Sequence, residues 1–127
     1  MKRAKVRIIT NAVPRLRKFY QEVLGLSPIG DDRYLEFPAP GLTLAIASQQ
    51  RMNMIAVGEI EPASNRSAIF DFEVEDIDQE RTRLQRTIAK FVLEPTTQPW
   101  GNRSMMFRDP DGNLVNFYTR LPAAAGA

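Results

Sequence analysis

The chain spells one order of elements twice: strand, helix, then three strands. In the first half Lys5–Thr10 alternates as a strand, and Pro14 suits the first turn of a helix. Leu16, Phe19, Tyr20, Val23 and Leu24 recur at i, i+3, i+4, i+7 and i+8, one apolar helix face that ends at Gly25. Turns at Gly30–Arg33 and Pro38–Gly41 frame strands Tyr34–Phe37 and Leu42–Ala47, and Met52–Val57 reads as a further strand. Gly58–Arg66, with Pro62, Ala63, Ser64 and Asn65, carries no apolar pattern and reads as a linker.

After the linker the order restarts. Ala68–Glu75 sets Phe70, Phe72 and Val74 against Asp71, Glu73 and Glu75, a strand with one buried face. Asp76 and Gln79 form a capping box, and Ile77, Leu84 and Ile88 give the next helix its stripe. Phe91–Glu94 is a strand, followed by a loop through Trp100. Asp109-Pro110-Asp111-Gly112 then joins the apolar runs Met105–Phe107 and Leu114–Tyr118 as a β-hairpin. Val13 corresponds to Ile77 and Leu24 to Ile88. The reading is one domain over 1–127: a first module at about 4–57, a linker at 58–66, a second module at about 67–120, and a frayed tail at 121–127.

Composition narrows the function classes. Hydrophobic residues make up 43% and charged residues 25%, which suits a folded domain. Lys plus Arg number 17 against 15 Asp plus Glu, too even and too dispersed for a nucleic-acid surface. No apolar run reaches membrane-spanning length, and the start has no signal-peptide core. With no Cys there is no disulfide, so a cytoplasmic protein is expected.

Phe19-Tyr20 with Val23-Leu24-Gly25-Leu26, Asp76-Ile77-Asp78, Pro99-Trp100-Gly101-Asn102-Arg103 and Asp109-Pro110-Asp111-Gly112-Asn113 occur in an order that resembles the vicinal oxygen chelate superfamily, the glyoxalase/bleomycin-resistance/dioxygenase family. The match runs over roughly residues 5–119. The resemblance implies an α+β fold: two βαβββ modules forming a curved, cup-like mixed sheet with helices on the outer face, paired in a homodimer.

Metal enzymes of that family hold their ion on cup-facing strand positions occupied by His, Glu or Gln. Counting from the matched motifs, those positions fall on Lys5, on Thr43 or Ala45, on Ile69 and on Asn116. Lys5 is a cation, Ala45 and Ile69 have no lone pair, and Asn116 offers one neutral carbonyl. Zinc takes Cys, His and carboxylate, and the chain has no Cys and no His. An all-oxygen Mg²⁺ or Ca²⁺ site would need acids clustered at new positions. No metal and no cofactor is therefore expected.

By strand alternation the same face carries Arg7 beside Lys5, Asp71 and Glu73 beside Ile69, and Leu114 and Tyr118 beside Asn116. Val6, Ile8, Phe70, Phe72, Val115 and Phe117 face the helices. The candidate ligand-binding residues are Lys5, Arg7, Ala45, Ile69, Asp71, Glu73, Trp100, Asn116 and Tyr118. Trp100 and Tyr118 would stack on an aromatic or peptidic small molecule. Plainer uses stay open: Arg7 and Asp71 as an ion pair, Trp100 as a packing anchor.

The expectation is a metal-independent small-molecule-binding protein, similar to the antibiotic-sequestering branch of the family. Bleomycin-binding relatives trap a cationic drug in an acidic groove, and this chain is net positive, so bleomycin itself is not expected. The alternative is a lyase, isomerase or dioxygenase of the same family. It would either be metal-free, with Asp71 or Glu73 raised by burial as general base and Arg7 or Lys5 stabilising an oxyanion, or hold metal on displaced ligands.

Overall fold

The computed structural model describes residues 1–122. The C-terminal part of the expected tail, 123–127, lies outside the described residues. The chain divides into two compact units, Met1–Asn65 and Arg66–Ala127. Each is a βαβββ unit with a four-stranded mixed sheet, which gives the α+β class. Among the described residues no helix is long and apolar enough to cross a membrane.

The first unit contains β1 (Lys5–Thr10), α1 (Val13–Leu24), β2 (Ile29–Gly30), β3 (Tyr34–Ala39), β4 (Leu42–Ser48) and the short α2 (Gln49–Met52). The strand order is β1-β4-β3-β2, with β1 parallel to β4 and the other pairs antiparallel. Pro14 stands in the first turn of α1, where its missing N–H leaves no bond unmade. Gly25 ends the helix in the left-handed region at φ 67°, and its N–H donates to the Gln21 carbonyl. Val13, Leu16, Tyr20 and Val23 of α1 are buried together with Ile8, Leu35, Phe37, Leu44 and Ile46 of the sheet. The Tyr20 and Phe37 ring centroids lie 6.4 Å apart.

Two local readings are corrected here. Gly30 belongs to β2 and not to a turn: it pairs with Leu35 at φ 129°. A Cβ there would stand 2.3 Å from the Tyr34 carbonyl oxygen, so only glycine fits. Met52–Val57 is not a strand. The Ser48 hydroxyl accepts the Arg51 N–H at 2.9 Å and starts α2. The amides of Ile55 and Ala56 then turn back to the Met52 carbonyl, so the segment bonds locally and needs no partner strand. Met52 is buried, while Met54, Ile55 and Val57 are exposed.

The second unit repeats the pattern with β5 (Ile69–Glu73), α3 (Ile77–Leu84), β6 (Phe91–Thr97), β7 (Asn102–Arg108) and β8 (Leu114–Arg120). Its order, β5-β8-β7-β6 with β5 parallel to β8, is that of the first unit. Lys5 precedes Val13 by the same interval as Ile69 precedes Ile77. Asp76 caps α3, accepting the N–H groups of Asp78 at 3.0 Å and Gln79 at 3.2 Å.

The β7–β8 hairpin is organised around buried Asp109. One carboxylate oxygen accepts the Asp111 and Asn113 N–H groups, each at 2.9 Å, and the other accepts the Asn113 side-chain amide at 2.8 Å. Gly112 takes φ 87° to close the turn. Behind it, one phenylalanine from each strand forms a row across the sheet: Phe72, Phe117, Phe107 and Phe91. Successive centroids are 6.0, 5.4 and 6.0 Å apart, all edge-to-face.

Candidate functional site

In the first unit α1 covers one face of the sheet, and register determines what stands on the other. The rows are Lys5–Thr43–Pro38, Arg7–Ala45–Glu36 and Ile9–Ala47–Tyr34. Lys5, Arg7 and Ala45 thus share a face. Thr43, Ala45 and Ala47 are buried there because they are short and stand between longer side chains of β1 and β3.

Those longer side chains form a cluster. The Lys5 ammonium donates to Glu36 Oε2 at 2.8 Å and to the Tyr34 hydroxyl at 3.1 Å. The Tyr34 hydroxyl donates to the same Glu36 oxygen at 2.7 Å. These bonds favour the charged forms. The Lys5 pKa rises above its ordinary 10.5, chiefly through the Glu36 hydrogen bond and then that of Tyr34. The Glu36 carboxyl falls below its ordinary 4.5, chiefly through Lys5 and then Tyr34. The Arg7 guanidinium carbon lies 5.4 Å from the Tyr34 ring centroid, and Nη1 is 3.5 Å from Met52 Sδ.

The second sheet sorts the remaining residues by the same rule. Its rows are Ile69–Leu114–Arg108, Asp71–Asn116–Met106 and Glu73–Tyr118–Ser104. Ile69, Asp71, Glu73, Asn116 and Tyr118 therefore share one face, while Phe72 and Phe117 stand on the face that packs with α3. The Asn116 amide donates to Asp71 Oδ1 at 2.8 Å. Asn116 Oδ1 is shielded from solvent and has no hydrogen-bond partner among the described residues. Glu73 faces Arg120 at 3.8 Å, and a shallow depression is lined by Glu73, Val74, Glu75, Thr119 and Arg120. Trp100 sits in the β6–β7 turn with 73% of its surface exposed, so it is not a packing anchor within the chain.

Asp71 and Glu73 are both exposed. Neither is enclosed by the described residues of its sheet. Nor do the residues at the family's ligand positions fit a metal. On the first sheet they are an ammonium already engaged with Glu36 and a hydroxyl or methyl at Thr43 or Ala45. On the second they are a hydrocarbon at Ile69 and an amide at Asn116. Among the described residues no three of His, Cys, Asp and Glu gather closely enough to hold an ion.

Tyr34 and Glu36 are the functional candidates that alternation along β1 and β5 missed. Their own strand gave a signal, since positions 34 and 36 share a face. Their meeting with Lys5 depends on β4 lying between β1 and β3, which local pattern does not show.

Comparison with known proteins agrees with the repeated βαβββ architecture. The pattern of the Glyoxalase/Bleomycin resistance protein/Dioxygenase superfamily matches residues 2–117, and the chain belongs to that family. It is 30% identical over 130 residues to the uncharacterized protein YraH of Bacillus subtilis, covering 95% of this chain and all of the relative. A glyoxalase/bleomycin resistance protein/dioxygenase from Nocardioides superposes with a TM-score of 0.76 at 24% identity, covering 95% of this chain and 84% of the other. A lactoylglutathione lyase from Agrobacterium tumefaciens superposes at 0.70 with 19% identity, covering 91% of each chain. At these identities the two structures speak for the fold alone.

Proposed function

We propose that the chain is a metal-independent small-molecule-binding protein of this family, taking an aromatic or peptidic ligand on the sheet faces left free by the helices. One observation carries the reading. The positions that hold metal in the family's enzymes are Lys5, Thr43 or Ala45, Ile69 and Asn116 here, and Lys5 is tied to Glu36 and Tyr34. A bound metal would supply the electrophile for the family's chemistry. These side chains favour recognition by shape, stacking and charge instead.

Sequestration of an antibiotic is one form of such binding, and a cytoplasmic homodimer belongs to the same reading. The test is calorimetric titration of the purified chain, in buffer containing a chelator, with a panel of aromatic and peptidic compounds that includes antibiotics. Saturable binding by one chemical class is expected. Absence of binding across the panel contradicts the proposal.

A further inference from the structure

The first sheet carries an uneven account of charge. Lys5 is matched by Glu36 at 2.8 Å. Arg7, two residues on and on the same face, forms no salt bridge among the described residues; it lies against a thioether and a ring. A guanidinium has five N–H donors, and a thioether is a weak acceptor. Arg7 is exposed, so the donors not turned to Met52 are open to a ligand.

Arg7 is also held in place. Tyr34 is fixed at its hydroxyl by Lys5 and Glu36, and its ring is the platform beside the guanidinium. A guanidinium held over a ring loses little further freedom when it takes a ligand, and its planar fork matches two oxygens of one group. Apolar side chains flank this position on the same face: Ile9 stands in the next row, and the largely exposed Ile29 ends Arg7's own row beyond Glu36.

We propose that Arg7, seated over Tyr34 and without a carboxylate of its own, anchors a carboxylate of the bound ligand, so that the chain selects organic acids over neutral or cationic molecules of the same shape. The proposal rests on the binding reading above and gives it a substrate class. Lys5 is not the anchor because Glu36 already occupies it.

The experiment uses the intact chain and amide-shift NMR titrations with aryl carboxylates, benzoate first, beside benzamide and benzylamine as neutral and cationic counterparts. Thermal melts confirm folding of each variant. Wild type is expected to bind a carboxylate at least about tenfold more tightly than its amide, the order expected for one charge-assisted paired contact. Arg7→Gln should remove that preference, and Arg7→Lys should restore part of it. Tyr34→Phe, which keeps the ring but frees it, should weaken carboxylate binding less than Arg7→Gln does.

Equal affinity for acid and amide overturns the anchor, as does an Arg7→Gln protein that binds carboxylates like wild type. Binding of neutral or cationic compounds with no carboxylate bound also overturns it and leaves the binding reading standing. No binding by any compound, the antibiotic panel included, overturns both.

Discussion

Lys5 Nζ reaches across β4 to lie 2.8 Å from Glu36 Oε2 on β3. The strand they cross contributes Ala45 and Thr43 at that level, and a longer residue at Ala45 would stand in the way. The first position the family uses for metal is thereby spent on an ion pair, with Tyr34 as the third member. Arg7, two residues on, forms no salt bridge among the described residues.

The cluster has a defined pH window. Glu36 is lowered from 4.5, first by the Lys5 hydrogen bond and then by Tyr34, so its contribution is complete above 4.5 and lost as pH falls through the lower folded value. Lys5 is raised from 10.5, first by Glu36 and then by Tyr34, so its contribution is complete below 10.5 and lost as pH rises through the raised value. Carboxyl carbon NMR should show Glu36 titrating below ordinary glutamates, with Lys5→Met returning it upward. An unshifted Glu36 in the wild type contradicts the cluster.

Shortness at Ala45 is required for that crossing. Ala45→Glu places a second carboxylate in the Arg7–Ala45–Glu36 row and overfills a buried position. A loss of about 1–3 kcal/mol is expected from urea unfolding, with the Glu36 titration moving upward. A fully stable variant with Glu36 unchanged shows that the crossing does not depend on Ala45.

Gly30 tests the edge of the same sheet. A methyl there meets the Tyr34 carbonyl at 2.3 Å and the backbone stands at φ 129°. Gly30→Ala should cost at least about 1–3 kcal/mol by urea unfolding. A neutral result means the β2–β3 pairing is looser than described.

The phenylalanine row separates core from site. Phe117 touches Phe72 and Phe107 and is almost fully buried. Phe117→Ala should cost about 3–5 kcal/mol. Trp100→Ala, at an exposed turn residue, should stay within about 0.5 kcal/mol while weakening any ligand that stacks there. Equal losses at the two positions would give Trp100 a structural role.

The repeat, α1 with its Pro14 and Gly25 ends, the Asp76 cap and the Asp109–Gly112 hairpin were legible because each is written in residues close together along the chain. Segment 52–57 was not. Its apolar residues suggested a strand, whereas the Ser48 cap and turn bonds to Met52 satisfy its backbone locally and leave Met54, Ile55 and Val57 outside. Alternation put Lys5 with Arg7 and Asp71 with Asn116 in phase. It did not bring Tyr34 and Glu36 to Lys5, since that contact joins residues 31 apart through a parallel pairing of β1 with β4. The exposure of Asp71 and Glu73 was likewise beyond alternation, which assigns a face and not its depth.

Metal-independent recognition is tested most directly by titrating one bound compound into the chain purified without chelator, then after metal stripping, and again after adding Zn²⁺, Ni²⁺ or Mn²⁺, with the metal content of each sample measured. The account predicts one affinity throughout and less than stoichiometric metal in the starting protein. A stoichiometric ion whose removal abolishes binding, and whose return restores it, contradicts the account.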